Sequence, residues 1–581
     1  MRTWSGGRRV CALPAGFRVA SGLCGVYGSR DPAHALRHAG VEPVWHNAEV
    51  AFGGAPVWTD TTGHVVVCGD VLLYNVASLQ AQLQCSARAH GEILAELVRR
   101  YGVAEGARQA RGMFAVAIWR EPERELVLLR DAVGARTLYH ARQGSFCWFA
   151  DRLSVLRRTP AVSCALSLTA LRHYLSCAFV PGEETMWRDA QELAPGTAYV
   201  FPGDRRILYW EPVQGEWDPE APLPFYARCL RPLLEDAVQQ CLPASGPVGV
   251  YLSGGLDSSL VTALAARYAP GAVHTFAIHF GPEYPNELEF SALVARHCGT
   301  EHHVLELRAE VVREHLPETL ALLDDPIGDP LTTPNLLLGR AAFQETSVVL
   351  NGEGGDPCFG GPKNQPMLLH ALYGATQSEE DAYFRSYQKC YDDLPELLTP
   401  EVQRALRDAP PQSALLEPFF SNPRMPAYLN RLMHINVRLK GADHILTKVN
   451  NLTRACGLVG HSPLFDPRIV EASFAVPPAF KLSGATEKVV LKAAVADLLP
   501  QAILARPKSG MLVPVQGWFR RELNSYARAL LLDRRARTRP YLNSDTVRQW
   551  LEYRGDVWSR YGVKLWLLLT LEVWLRVQED L

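Results

Sequence analysis

The sequence predicts an α/β protein in two parts, a mostly β N-terminal half and a second half built on a doubly wound parallel sheet with a helical C-terminal part. Three observations predict it. Apolar β-patterned segments separated by polar turns fill the region from Leu23 to about Glu211. From Phe225 onward, short apolar strands alternate with helical segments, which implies βαβ units and ligands at the carboxyl ends of the strands. Between the two, Gln214 to Pro224 holds three prolines, Trp217 and several acids, a poor context for regular structure. The expected division is therefore a basic extension over 1–22, a first domain over 23–212, a linker over 213–224 and a second domain over 225–581.

In chain order, His64 to Cys68 reads as a strand followed by a turn at Gly69-Asp70. Met113 to Trp119 pairs with Leu126 to Leu129 around the polar turn Glu121 to Glu125. Glu92 to Tyr101 and Leu168 to Leu175 have helical patterning. In the second half, Val248 to Leu252 is a strand and Leu260 to Tyr268 a helix. Val273 to Phe280, Leu288 to Cys298 and Val304 to Leu307 follow as strand, helix and strand. Glu345 to Leu350 ends in another strand, and the pattern after about residue 368 is largely helical.

Bulk composition excludes several classes. Hydrophobic content is 48%, charged content 21% and net charge -2 over 581 residues, values of an ordinary globular chain with no footprint for nucleic acid or an anionic membrane. No apolar run reaches the ~18 residues of a membrane span; the best, Leu565 to Leu571, is flanked by Lys564 and Glu572 and reads as a buried helix. The 13 cysteines form no CxxC pair, which favours a reducing, cytoplasmic setting. The first 22 residues carry Arg2, Arg8, Arg9 and Arg18 and no acid. They read as a transit peptide, or as the product of an overlong gene model with the true start at Leu23.

The chemistry concentrates in two glycine loops. Ser253-Gly254-Gly255-Leu256-Asp257-Ser258-Ser259 follows an apolar strand and opens a helix. Adjacent glycines bring backbone N–H groups close to a phosphate, three serines add hydroxyl donors, and the helix N-terminus adds its dipole. A carboxylate in that setting would repel phosphates without a cation, so Asp257 is a Mg²⁺ ligand candidate. No GxxxxGK[ST] loop occurs. The second loop, Asn351-Gly352-Glu353-Gly354-Gly355-Asp356, again runs from a strand into glycines and ends on an acid, so Asp356 is the candidate second ligand.

These loops resemble the asparagine synthetase family, and further stretches match it in order: Tyr284-Pro285-Asn286-Glu287, Asp325-Pro326-Ile327-Gly328-Asp329-Pro330, Leu446-Thr447-Lys448-Val449, Pro463-Leu464-Phe465-Asp466, Pro477-Pro478-Ala479-Phe480-Lys481, Glu487-Lys488 and Arg506-Pro507-Lys508-Ser509-Gly510. The resemblance implies an ATP-pyrophosphatase fold and formation of an acyl-adenylate, followed by displacement of AMP by an amine. It implies ATP contacts at Leu252, Ser253, Gly254, Gly255, Asp257, Ser258, Ser259, Ile278, Asn351 and Gly352, and Mg²⁺ at Asp257 and Asp356. It further implies a pocket glutamate at Glu353 and a cation at Lys508 over the α-phosphate. Departures from the family pattern at Pro357, Pro362-Lys363-Asn364, Asn450-Asn451, Val459 and His461 are expected to cluster where the acceptor binds, which puts aspartate as the substrate in doubt.

The first half resembles a class II glutamine amidotransferase domain, an αββα sandwich whose nucleophile is an N-terminal cysteine. The match rests on Cys24-Gly25-Val26-Tyr27-Gly28, Gly112-Met113-Phe114-Ala115, Leu129-Arg130-Asp131 and Leu193-Ala194-Pro195-Gly196. Cys24 can serve only with residues 1–23 absent, because its own α-amine is the base. The glutamine pocket departs further. No arginine lies between Arg37 and Arg88, Gly53-Gly54 stands where the family grips the substrate carboxylate, Cys68-Gly69 replaces the oxyanion Asn-Gly, and His90 stands near the acid position. The expectation is a carbon–nitrogen ligase that takes a small-molecule or peptide carboxylate and ammonia or another amine, with a homodimer as one option. A glutamine-hydrolysing asparagine synthetase with Cys24 exposed and an inert scaffold are the alternatives.

Overall fold

In the computed structural model, residues 2–4, 22–361, 364–373, 378–484, 486–507, 510–554 and 560–580 are described. The first half stacks two antiparallel six-stranded sheets. One holds Cys24–Tyr27 between Phe146–Ala150 and Val50–Gly53. The other is built on Val65–Leu73, Gly112–Arg120 and Glu125–Arg130, so the expected hairpin forms with Ala115 opposite Arg130. Val50, Phe52, Val66, Trp119, Leu128 and Phe149 interdigitate between the sheets. Helix Pro32–His38 covers the outer face of the first sheet, and His90–Gln109 that of the second. The result is the expected αββα sandwich.

The second half is one fully parallel sheet in the order Arg2–Trp4, Glu301–Glu306, Val273–His279, Val248–Tyr251, Val348–Leu350 and Val459–His461. Buried Leu234, Leu260 and Leu264 pack on one face. Leu316, Leu337 and Trp566 pack on the other, giving the doubly wound arrangement. Two strands were not anticipated. Val459–His461 is too short to show period-2 patterning. Arg2–Trp4, in the basic extension, pairs with His303 to Leu305 as an edge strand. Helix Leu223–Gln240 begins inside the expected linker, with proline in its first turn as helix starts favour. The linker is also docked: the Gln214 side chain accepts hydrogen bonds from Ala427 N and Asn430 Nδ2, both at 2.9 Å.

Polar contacts lock the two halves together. Arg152 Nε donates to Asp324 at 3.1 Å, Asn450 Nδ2 to the Ala135 carbonyl at 2.7 Å, and Arg438 to the Pro195 carbonyl at 2.7 Å. Helix Tyr561–Asp580 contains the apolar run Leu565 to Leu571, which is buried in the core. Among the described residues, no helix is long and apolar enough to cross a membrane.

Candidate active site

The strand Val248–Tyr251 delivers the chain to the first glycine loop, and Leu252 N still donates to the Phe276 carbonyl at 2.8 Å. The loop then turns through Gly254 at φ +80°, where a Cβ would come within 2.5 Å of Ser291 N; only glycine fits. Helix Leu256–Tyr268 starts at once, so its first N–H groups face the strand ends. Ser253 and Ser258 hydroxyls lie 3.1 Å apart, and Gly255 N donates to Ser253 Oγ at 3.3 Å, which fixes the loop's shape. The Ser259 side chain is fully buried at the start of the same helix. Ile278 is buried on the neighbouring strand.

The second loop leaves the adjacent strand Val348–Leu350. Asn351 N donates to the His461 carbonyl at 3.0 Å, and Asn351 Oδ1 accepts from Glu353 N at 3.0 Å. Gly352 packs against Ser258, and a Cβ on Gly355 would sit 2.2 Å from Asp257 Oδ1. The two loops are thus in direct contact, and they bring Asp257 and Asp356 to one point. Between the two carboxylates sits a residue that the sequence reading left without a role. Lys488, 1% exposed, places Nζ 2.5 Å from Asp257 Oδ2 and pairs with Asp356 Oδ1 as well. The ammonium stands where two carboxylates and a polyphosphate require positive charge. Lys488 is held at φ +56°, an unusual conformation for a side-chain-bearing residue and the local signal that its position is imposed by the surrounding fold.

Beyond the carboxylates lies a second charged cluster. Lys448 Nζ is 2.5 Å from Asp329 Oδ2, and His444 Nε2 is 3.4 Å from the same oxygen. Burial pushes the Asp329 carboxyl up, but Lys448 and His444 outweigh it and hold it well below the ordinary carboxylate range. Burial pushes the Lys448 ammonium down; Asp329 and Glu353 outweigh it and raise it, so Glu353 lies within electrostatic reach of Lys448. Arg506 pairs with Glu287, donates to the Gly254 carbonyl at 3.1 Å and stacks over Phe290. It pins the end of the 500s segment to the first loop. Lys508, two residues on, lies outside the described residues, as do Pro362 and Lys363.

Two departures from the family pattern face the N-terminal half. Asn450 holds the Ala135 carbonyl, and His461 Nδ1 lies 3.2 Å from Tyr74 Oη. Asn451 Nδ2 donates to Asp324 of its own half at 3.4 Å. A polar cavity there is lined by Asp70, Arg136, Thr137, Asp151, Asn450 and Arg454.

Cys24 is fully buried on a central strand, with Leu23 and Gly22 packed ahead of it. Burial first, then the Asp151 carboxylate, pushes its thiol up to about 12. Cys68 is also buried and raised by burial, and His90 Nδ1 accepts from Leu73 N at 2.9 Å.

A family model described as asparagine synthase matches residues 229–576, and one described as a glutamine amidotransferase domain matches 50–209. The chain belongs to the asparagine synthase family. It is an ATP-dependent carbon–nitrogen ligase of the asparagine synthetase type. Among curated relatives, asparagine synthetase [glutamine-hydrolyzing] 1 of Bacillus subtilis is 25% identical over 90% of this chain and 87% of its own. A putative asparagine synthetase [glutamine-hydrolyzing] of Mycobacterium bovis is 26% identical over 97% of this chain and 95% of its own. Among solved structures, the glutamine phosphoribosylpyrophosphate amidotransferase of B. subtilis aligns with 11% identity and a TM-score of 0.25, covering 50% of this chain and 92% of that one. The family's amidotransferase match begins at residue 50, downstream of Cys24.

Proposed function

We propose that this family member activates a carboxylate as its acyl-adenylate and joins it to ammonia or another amine, without efficient glutamine hydrolysis. The observation that carries the first part is the convergence of Asp257 and Asp356 on Lys488 at the meeting of two glycine loops. The loop amides and the N-terminus of Leu256–Tyr268 bind the pyrophosphate of ATP. The donor set fits a hard divalent cation: two carboxylates from separate strand ends, close enough to share one ammonium. Mg²⁺ held there supplies charge neutralisation for the departing pyrophosphate. Lys488 keeps the two carboxylates compatible in the free protein.

The substrate carboxylate oxygen attacks the α-phosphorus, and pyrophosphate leaves. The amine nitrogen then attacks the acyl carbon, AMP leaves, and Glu353 accepts the proton shed by the amine. Lys448, fixed by Asp329, stands in electrostatic reach of Glu353. Lys508 is assigned to the α-phosphate by resemblance alone. The test is ATP-dependent pyrophosphate release across a panel of carboxylates with ammonium present. Release in the wild type and its loss in Asp257→Ala support the reading; no release with any carboxylate refutes it and favours an inert homologue.

The second part rests on the first half of the chain. No arginine lies between Arg37 and Arg88 to grip the substrate carboxylate, and Cys68-Gly69 stands in place of the oxyanion Asn-Gly pair. The glutamine-hydrolysing reading draws on the amidotransferase match and the names of the relatives. Glutamate release from protein beginning at Cys24 decides between them, and robust release refutes the ammonia reading.

A further inference from the structure

We infer that His274, His303 and Glu301, with Glu345 beside them, form a binding site for a divalent transition-metal ion of the zinc class. The site lies at the amino-terminal end of the parallel sheet, the end opposite the glycine loops. Parallel register places His274 directly across from Glu301, and His303 two residues further along the same strand and face. His274 Nδ1 and His303 Nε2 lie 3.1 Å apart. All three donor atoms fall within 4.8 Å of one another. Two imidazole nitrogens bound at ~2.0–2.1 Å to one zinc ion lie roughly 2.9–3.4 Å apart, depending on the bond angle.

A hydrogen bond between the two rings would give a similar spacing. It would not gather carboxylates. Glu301 Oε2 at 3.9 Å and Glu345 Oε2 at 4.0 Å both approach the same His274 Nδ1, which has one proton or one lone pair to offer. Three donor atoms within 4.8 Å of one another, with Glu345 reaching His274 from the rim, form a cage. Both histidines are buried, and Phe276 stacks on the His303 ring at a centroid distance of 4.9 Å, fixing its orientation. Glu301 is exposed and provides the entry side. Paired imidazoles with carboxylates suit zinc better than magnesium or calcium, which prefer all-oxygen sites. A bound ion would clamp two neighbouring strands and, through Glu345, the turn leading to Val348–Leu350. Its role is structural, because the nucleotide loops occupy the other end of the sheet.

The test uses untagged full-length protein stripped with a chelator, titrated with Zn²⁺ and separately with Co²⁺. The wild type is expected to retain about one equivalent of Zn²⁺ after gel filtration, and its Co²⁺ form to show visible ligand-field absorption that Zn²⁺ erases. Glu301→Gln, a change on an exposed side chain that leaves folding intact, should weaken binding about tenfold or more. His303→Gln should abolish stoichiometric retention. If the wild type retains no zinc, or if Glu301→Gln and His303→Gln bind it as tightly as the wild type does, the site is refuted. Should His303→Gln fail to fold, the affinity of Glu301→Gln alone decides the matter.

Discussion

Replacing Lys488 with Met isolates the charge at the centre of the nucleotide site. Met keeps the chain length and leaves the φ +56° backbone of residue 488 unrelieved, so the substitution removes an ammonium and little else. That ammonium lies 2.5 Å from Asp257 and is also paired with Asp356, at a position 1% exposed. At an effective dielectric near 20, an ion pair about 2.5 Å apart is worth roughly 6–7 kcal/mol before desolvation. Removing one partner of a buried pair typically costs about 3–5 kcal/mol net. For a large domain, about 2 °C of melting temperature accompanies each kcal/mol, so Lys488→Met should melt roughly 6–10 °C below the wild type. Adding Asp356→Asn to Lys488→Met should recover part of the loss, because one of the two facing charges is gone. Magnesium alone should stabilise Lys488→Met more than the wild type, since a divalent ion meets the same two carboxylates. Differential scanning calorimetry with and without Mg²⁺ reads all three quantities. A Lys488→Met protein that melts with the wild type would refute the reasoning, since it would mean that the carboxylates are not mutually dependent on that cation.

Four further outcomes follow from the same geometry. Asp257→Ala should lower the rate of ATP-dependent pyrophosphate release at least about 100-fold, and Glu353→Gln should lower kcat much more than it raises the KM for ATP, as single- and multiple-turnover kinetics would show. Cys24→Ala should leave ammonia-dependent turnover within about twofold of the wild type, measured side by side at saturating ammonium. Burial lifts the Asp151 carboxyl from 3.8 to about 6 against the pull of Arg454. A folded-state value raised in this way contributes stability that is present below about 3.8 and lost as pH rises through about 6. Asp151→Asn should therefore be more stable than the wild type by up to about 3 kcal/mol at pH 8, with the advantage vanishing toward pH 4, as urea melts at several pH values would read.

Most of the scaffold was legible from local pattern. The strand Val248–Tyr251 and the helix Leu288–Cys298 announce themselves because each has one physical period and clear flanking turns. The loops at Ser253 and Asn351 were legible because adjacent glycines after an apolar strand have few other uses. What the sequence hid is long-range. Lys488 meets Asp257 across 231 positions, and nothing near residue 488 states that its ammonium belongs between two distant carboxylates. Arg2–Trp4 is too short to carry a strand signal and takes its place only because the sheet edge at His303 is available. Asn450 and His461 were read as neighbours of the acceptor from their nearness to motifs, whereas the fold turns them toward Ala135 and Tyr74 of the other half.

The central claim is that ATP activation is intact while the nitrogen does not come from glutamine. The direct measurement is steady-state pyrophosphate release by protein beginning at Cys24 with its best carboxylate, comparing ammonium with glutamine as nitrogen source and wild type with Asp257→Ala. The account predicts release with ammonium, little with glutamine and none in Asp257→Ala. Equal release with glutamine accompanied by stoichiometric glutamate, or release that survives Asp257→Ala, would contradict it.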